Sequence, residues 1–599
     1  MGDVSQVQRD HLNELKAEIV RRGWKFKDLA DRLGVTNRHL SEVLNGRARL
    51  TSRLGNQIHE VTDIPLTKIP LENTMKILIC DPIAEDGLAI FRDAGLDVEV
   101  KTGMKPEELK KTVNGFDALV VRSETKITQE VLDATSHLQV VGRAGVGVDN
   151  IDVAAATEKG VVVVNAPTGN TSSAAEHAIA LMLALARRIP EANASLKSGK
   201  WERSKFLGLE VRDKTLGIIG LGQVGSEVAR RARGLEMNVL AYDPFVPEDR
   251  ARNLGVDLAT MDELLAKSDF VTVHTTLSEG TRSLIGADEM AKMKPTARII
   301  NTARGGIVNE EALAEAIEAG KIAGAAIDVF ETEPVTEHPL FGLDSVVVTP
   351  HLGASTAEAQ ERVAMDVAHQ IVAVLNGEPA RWAVNAPLID PETYQYLAPY
   401  VPVAQKIGLL AVQLHKGQLN QVEIDYAGDI TQHDLTPLKA AVIGGILSNV
   451  SEEHVNVVNV DLIAERRGMQ LTQVHSPTHE IYANLITVRL KSAEGETEVA
   501  GTVAHDGPHI VSIEDYWVDV PPSEGYLLLC DNRDRPGMIG AVGTLMGEFG
   551  VNISFMNVDR DEKTGEALMV ICLDDALTEE QTERVRQVEG IIDVRQARI

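Results

Sequence analysis

The apolar run Thr215-Leu216-Gly217-Ile218-Ile219 ends in Gly220-Leu221-Gly222-Gln223-Val224-Gly225. This junction constrains the fold more than any other stretch of the chain. The run predicts a strand buried on both faces, and the glycines predict a tight turn. A helix should follow, with its first amides pointing back at the turn. Gly220 permits the turn, Gly222 bares the backbone for a pyrophosphate, and Gly225 lets helix and strand pack closely. Gln223 and Val224 fall at the same turn. A second strand, Asn238-Val239-Leu240-Ala241-Tyr242, ends at Asp243, about 20 residues on, where an acid takes the ribose hydroxyls of a dinucleotide. A carboxylate there would repel the 2′-phosphate of NADP, so NAD is the expected cofactor.

The chain has 599 residues, enough for about four domains. No apolar run is long enough to span a bilayer. The first residues lack the basic and apolar regions of a secretory signal. Cys80, Cys530 and Cys572 are too far apart in sequence for a disulfide framework or a zinc site. A cytoplasmic protein with no bound metal is expected. The net charge of −29 opposes nonspecific DNA binding by the chain as a whole, though not a local basic patch.

Residues 1–73 differ from the rest in being close to charge balance. Leu12, Leu15, Ile19 and Val20 recur at helical spacing. The stretch from Phe26 to Gly46 then reads as helix, turn, helix. Gly34 ends the first helix, Val35 fills the angle between the two, and Thr36 caps the second. The pattern resembles the helix-turn-helix of phage-repressor-like and antitoxin regulators. That resemblance points Asn37, Arg38, His39 and Ser41 toward a major groove, with Arg47, Arg49 and Arg53 as phosphate contacts. A small helical bundle used for docking or dimerisation fits the same pattern. Met75-Lys76 before an apolar run looks like a fresh protein start, so the first domain reads as a fusion or as an over-long gene model.

From Met75 to about Leu375 strands and helices alternate, the mark of parallel α/β architecture. Ala118-Leu119-Val120-Val121, Val161-Val162-Val163-Val164 and Phe270-Val271-Thr272-Val273 read as strands buried on both faces. The glycine turn lies midway through this region, so one α/β domain is expected to interrupt another. Ser173 to Arg188 is apolar almost throughout and predicts a buried helix that links the lobes or packs at a subunit interface. Residues from about Tyr400 to Pro521 mix helices (Ala404 to Leu414, Leu435 to Leu447) with a strand (Ile486 to Leu490). From Gly525 the order β-α-β-β-α-β is expected, with Asp531 to Gly537 as a loop after its first strand.

Five ordered motifs carry a further resemblance. They are Val141-Gly142-Arg143-Ala144-Gly145-Val146-Gly147-Val148-Asp149-Asn150, the glycine turn, Asn301-Thr302-Ala303-Arg304-Gly305-Gly306, Asp328-Val329-Phe330-Glu331-Thr332-Glu333-Pro334, and Pro350-His351-Leu352-Gly353-Ala354-Ser355-Thr356. From Met75 to the C-terminus the chain resembles the NAD-dependent D-2-hydroxyacid dehydrogenases, in the long form with intervening and ACT regulatory domains. The resemblance implies a doubly wound Rossmann domain (173–358) inserted in a flavodoxin-like substrate domain (75–172 and 359–379). An α+β intervening domain (380–521) and an ACT domain (525–599) follow, and the all-α helix-turn-helix domain (1–73) precedes them.

The implied reaction is NAD-dependent oxidation of D-3-phosphoglycerate to 3-phosphohydroxypyruvate, on the way to L-serine. It removes a hydroxyl proton, which a histidine can accept; the family pattern assigns this to His351. Glu333 fixes the ring's tautomer and stabilises the imidazolium. Arg304 holds the substrate carboxylate. Arg122 and Arg143 match substrate-side arginines, and Arg203 matches one that reaches a neighbouring subunit's site, so a homodimer or homotetramer is expected. The pattern adds Thr275, Thr302, Ala303, Asp328, Gly353 and Ala354 to the cofactor contacts. Val146 stands where relatives have threonine and keeps only a backbone contact. Asp534 and Asn552 fall at the positions that hold an amino-acid effector, L-serine in the family. Arg466 and Arg467 read either as an anion site or as a solvated helix end. Two other readings fit: a reductase of 2-oxoglutarate, glyoxylate or hydroxypyruvate, and a DNA-binding regulator that senses a nucleotide through a dehydrogenase fold.

Overall fold

The computed structural model describes residues 15, 16, 18–33, 35, 37–44, 58, 61, 62, 75–448, 455–505, 507–521, 525–561 and 563–599. In the N-terminal segment two eight-residue helices, Phe26–Leu33 and Asn37–Leu44, stand three residues apart. Ile19, Leu29, Leu40, Leu44 and Ile58 are fully buried and form a core of their own. Ser41 is half-buried. Gly34, Thr36, Arg47, Arg49, Arg53 and the side chains of Asn37, Arg38 and His39 lie outside the described residues.

Five parallel strands form the first sheet: β1 (Lys76–Ile79), β2 (Asp97–Val100), β3 (Ala118–Val121), β4 (Val140–Arg143) and β5 (Val162–Asn165), in the order β2-β1-β3-β4-β5. That is the flavodoxin-like order. Alternate residues of each strand point to opposite faces, and both faces are covered. Ile77, Val120 and Val164 pack against Val363, Val367 and Ile371 of the Ala357–Leu375 helix. Leu78, Leu119 and Val163 pack on the other side with Val131 and Ala156.

The second sheet has seven parallel strands: β6 (Thr215–Ile219), β7 (Asn238–Tyr242), β8 (Asp257–Leu258), β9 (Phe270–Val273), β10 (Arg298–Asn301), β11 (Gly324–Ile327) and β12 (Val346–Val348). Their order, β12-β11-β10-β9-β6-β7-β8, reverses between β6 and β9. In a doubly wound sheet ligands sit at that switch point, outside the carboxyl ends of the strands. The chain enters this lobe through the Thr171–Arg187 helix, whose Ala175, Ala178 and Met182 cover Ile218, Ile300 and Ala326. It returns through residues 349–356 into the Ala357–Leu375 helix, and so completes the first lobe. The residues after that helix stay with the first sheet for longer than the sequence indicated. Val384 N donates to Val163 O (2.7 Å) and Asn385 Oδ1 accepts from Val163 N (2.8 Å). Residues 382–385 thus pair with the β5 edge instead of opening the next domain.

Beyond residue 400 the helices Tyr400–Leu414 and Thr436–Leu447 cover one face of a six-stranded sheet: β13 (Gln421–Gly428), β14 (Gln470–Ser476), β15 (Asn484–Ser492), β16 (Gly495–Ala504), β17 (Gly507–Ile513) and β18 (Tyr516–Val520). The last sheet holds β19 (Tyr526–Arg533), β20 (Ile553–Asp561), β21 (Glu566–Leu573) and β22 (Ile591–Arg598), with the helices Met538–Phe549 and Glu579–Arg586. Asp531, Asn532 and Arg533, expected in a loop, continue β19. Asn532 pairs with Ala567 and Ile591 on either side and is 2% exposed. One face of this sheet closes on its own helices through Leu528, Met569 and Val594. The other, through Leu527, Leu529, Val570 and Ala597, joins the core under β13–β18.

Candidate active site

At the end of β6 Gly220 takes φ +92°, a conformation that costs glycine nothing and other residues strain. A Cβ there would also press on the His274 carbonyl. The helix Gln223–Gly234 starts with no side-chain cap and no acid in its first turn. Its leading amides therefore remain available to an anion, and the space beside Gly222 is open. Gly225 lies so close to the Gly220 carbonyl that a Cβ would collide with it. Asp243, at the end of β7, braces the turn: Oδ2 accepts from Leu221 N (2.8 Å) and Oδ1 from Phe245 N (2.9 Å). Gln223 Oε1 accepts from Thr171 Oγ1 (3.3 Å). Val224 and Thr275 are half-buried.

Across β10 the strand end is shaped by Asn301, which sequence reasoning left without a role. Its Oδ1 accepts from Ala303 N (3.1 Å) and its Nδ2 donates to Arg304 O (2.9 Å). This closed turn presents Arg304, whose Nε donates to Asp149 Oδ2 of the first lobe at 3.1 Å. The ion pair crosses the cleft between the lobes. Glycines make room for it: a Cβ at Gly147 would collide with the Arg304 guanidinium, and one at Gly145 with that of Arg143. Burial first, and the nearby Arg304 charge next, bring the Arg143 guanidinium down to about 10.

Asn150 ties the arginines of the first lobe together. Nδ2 donates to Arg122 O (2.8 Å) and Thr125 O (2.6 Å), and Oδ1 accepts from Arg143 Nε (3.3 Å). Asp81, 1% exposed at the end of β1, accepts from Arg122 N (2.6 Å) and Thr125 Oγ1 (2.5 Å). Asp81 carried no signal in the sequence beyond polarity at a strand end, and Asn150 closed a family motif without a role of its own. Asn165 Nδ2 holds the Val146 carbonyl at 2.5 Å, so the backbone group left for a ligand there already has a partner.

His351 sits on the return crossing with φ +53°, an uncommon conformation for a residue with a Cβ. Its Nδ1 lies 2.7 Å from Glu333 Oε2, and both side chains are about a third exposed (37% and 35%). Glu333 Oε1 accepts from Phe330 N at 2.9 Å. Burial would raise this carboxyl's pKa. The hydrogen bonds from His351 and Phe330 outweigh burial and leave it below its ordinary value. Asp328 is fully buried and committed to the same turn. Oδ1 accepts from Leu352 N (2.7 Å) and Thr349 Oγ1 (2.5 Å), and Oδ2 accepts from Gly353 N (2.9 Å). Thr302, 8% exposed, has its Oγ1 buried without a hydrogen-bond partner, and Gly353 lies beside its carbonyl. That orphaned hydroxyl, the open space at Gly222 and the uncapped helix suit a dinucleotide laid across the switch point. Ala303 and Ala354 are half-buried at the same strand end and turn.

The remaining expected positions lie apart. Arg203 is exposed on the Arg203–Phe206 turn, and among the described residues no hydrogen bond or ion pair joins it to the cleft. Asp534 pairs with Arg560 (3.5 Å), Asn552 Nδ2 donates to Asp574 (2.9 Å), and Arg466 faces Glu158 (3.7 Å). Among the described residues no group of His, Cys, Asp or Glu side chains is placed to hold a metal. None of the described helices is long and apolar enough to cross a membrane.

Three family models match the chain: "D-isomer specific 2-hydroxyacid dehydrogenase, NAD binding domain" at residues 179–353, "D-3-phosphoglycerate dehydrogenase intervening domain" at 396–514, and "ACT domain" at 526–590. D-3-phosphoglycerate dehydrogenase of Archaeoglobus fulgidus is 46% identical over 522 residues, which span 87% of this chain and 99% of the relative. The enzymes of that name from Methanocaldococcus jannaschii and Bacillus subtilis are 43% and 40% identical, each over 87% of this chain and 99% of their own. With this agreement along nearly the whole length of its relatives, the chain belongs to the D-3-phosphoglycerate dehydrogenase family.

Proposed function

We propose that the protein oxidises D-3-phosphoglycerate to 3-phosphohydroxypyruvate with NAD, committing carbon to L-serine. The observation that carries this is the His351–Glu333 pair at the return crossing, with Arg304 beside it on the cofactor lobe and Arg122 and Arg143 on the other side of the cleft. NAD, when bound, supplies the hydride acceptor. Gly220, Gly222, Gln223, Val224, Gly225 and Asp243 would hold its adenosine and pyrophosphate side. Thr275, Thr302, Ala303, Asp328, Gly353 and Ala354 would lie toward its nicotinamide.

With Nδ1 turned to Glu333, Nε2 of His351 is the nitrogen left to take the substrate hydroxyl proton. The carboxylate stabilises the imidazolium that results. Arg304 exchanges Asp149 for the substrate carboxylate. Arg122 and Arg143 face the phosphate, whose charge the two guanidinium groups accommodate.

NADH formation by the purified chain supplied with D-3-phosphoglycerate tests the reading. His351→Ala should lower the rate by about 10²–10⁴ while leaving NADH binding nearly intact. Turnover of the variant within a few-fold of the parent would remove His351 from this role.

Three further features are proposed on narrower grounds. Ile189, Leu196, Trp201 and Leu207 are 53–88% exposed beside Arg203. An apolar patch of this kind marks an interface, and it supports a homo-oligomer in which Arg203 enters the neighbouring site. Asp534 and Asn552 would bind an amino-acid effector such as L-serine in the ACT domain. The two short N-terminal helices and their separate core support a helix-turn-helix that binds DNA.

A further inference from the structure

The lobes are joined by two chain crossings, the Thr171–Arg187 helix outward and residues 349–356 back. One side chain on the first crossing reaches the second. His177, with a side chain 18% exposed, places Nε2 3.1 Å from Asp328 Oδ1 and 3.2 Å from Thr349 Oγ1. Thr349 has a single hydroxyl hydrogen and spends it on Asp328 Oδ1 at 2.5 Å. Its lone pairs are then free to accept, so the ring nitrogen that faces both oxygens is the donor. His177 therefore holds its proton on Nε2 and shares it between a carboxylate and a hydroxyl.

Asp328 is the centre of the His351 turn. Its carboxylate takes the amides of Leu352 and Gly353, and its carbonyl accepts from His351 N at 2.8 Å. Three successive amides are thus fixed by one residue, and they hold His351 at its positive φ. A non-glycine residue persists in that region only where its surroundings over-determine it. The chain just outside the crossings is tied as well: Arg362 Nε, on the Ala357–Leu375 helix, donates to Gly169 O, before the outward helix, at 3.0 Å.

We infer that His177 is a positioning residue for the reaction. Through Nε2 it orients Asp328 and Thr349, which set the turn that aims His351 at the substrate. The helix that carries His177 packs on the cofactor lobe and begins at the first lobe, so the contact also ties the aim of His351 to the relative placement of the lobes. This inference rests on the role proposed for His351.

The test uses two substitutions in the full chain. A glutamine amide places a donor near the position of Nε2, whereas leucine fills the space without one. His177→Leu should lower kcat about 10–100-fold, the scale of a misplacement of about 1 Å, with the NADH dissociation constant within about twofold of the parent. His177→Gln should recover most of the lost kcat. In ring-labelled protein the His351 signals should move or broaden in His177→Leu and not in His177→Gln, a readout that needs no substrate. Leucine with parental kcat and unmoved His351 signals would overturn the inference. So would glutamine failing as badly as leucine while both bind NADH normally. If the parent turns over no D-3-phosphoglycerate, the functional proposal fails on its own, and the His351 signals still decide the role of His177.

Discussion

Replacing Glu333 by glutamine removes one charge from the proposed acid–base pair and leaves its size unchanged. Both partners of this side chain donate: His351 Nδ1 at 2.7 Å and Phe330 N at 2.9 Å. A carboxylate accepts from both, but an amide cannot. If its oxygen keeps Phe330 N, its NH₂ faces Nδ1 and drives the ring proton onto Nε2, the nitrogen that must be free to act as the base. If it turns over, two donors meet at Phe330. The lost charge adds to the effect. Two unit charges about 4 Å apart interact by about 4 kcal/mol at an effective dielectric constant of about 20. With each side chain about a third exposed, screening reduces this to ~1–2 kcal/mol. The depressed Glu333 pKa means that the pair is formed at neutral pH, and that its contribution is lost as pH falls through the depressed value. Glu333→Gln should therefore cut kcat by about 10²–10³. Stopped-flow binding of NADH should stay at the parental value. A kcat within threefold of the parent would refute the reasoning.

Gly147→Ala is conformationally allowed but drives a methyl group into the Arg304 guanidinium; KM for the hydroxy acid should rise about tenfold or more with NADH affinity unchanged, and parental kinetics would show that Arg304 does not hold the substrate. Asp243→Ala should narrow the preference for NAD over NADP, the carboxylate being the group placed to repel a 2′-phosphate. It should also weaken both cofactors, because the same oxygens brace Leu221 N and Phe245 N; an unchanged ratio of kcat/KM would move the ribose elsewhere. A chain beginning at Met75 should be fully active, since every residue of the candidate site lies beyond that point, and loss of activity or solubility would make the N-terminal helices integral to the enzyme. Selection from random duplexes at low salt tests whether those helices bind DNA, and failure to enrich any sequence would favour docking or dimerisation.

What could be read in the chain, and what could not, follows from the range of each interaction. The turn at Gly220 was legible because its demands are local: a positive φ, a bare backbone and a close helix all fall within six residues. The apolar strands of the two parallel sheets were legible because burial on both faces leaves unbroken runs of valine and isoleucine. The His351–Glu333 pair spans 18 residues and joins two loops, with His351 in a conformation that no propensity scale favours. Only the resemblance to a family brought the two together. Asp149 and Arg304 meet across 155 residues, and nothing in the loop after β4 says which arginine it will face. His177 is one of several polar residues in a helix that is otherwise apolar, and nothing local marks it.

Between residues 420 and 521 only the strand around Ile486 to Leu490 was read, and the others were missed for a different reason. In β14, Gln470–Ser476, most residues are exposed at a sheet edge and no alternation shows. In β16 two glycines and two threonines interrupt the pattern. The run Tyr526-Leu527-Leu528-Leu529-Cys530 did announce burial on both faces, and it carried more information than was drawn from it. An ACT sheet needs only one face for its own helices. Leu527 and Leu529, both fully buried, require something apolar on the other side, and the core under β13–β18 supplies it. Arg595 reinforces the junction by reaching Glu514 (2.6 Å) and Asp531 (3.0 Å). The two C-terminal domains therefore share one core. Rotating one against the other would expose Leu527, Leu529, Val570 and Ala597 at about 25 cal/mol per Å² of apolar surface, a resistance that two domains on a polar linker would not meet.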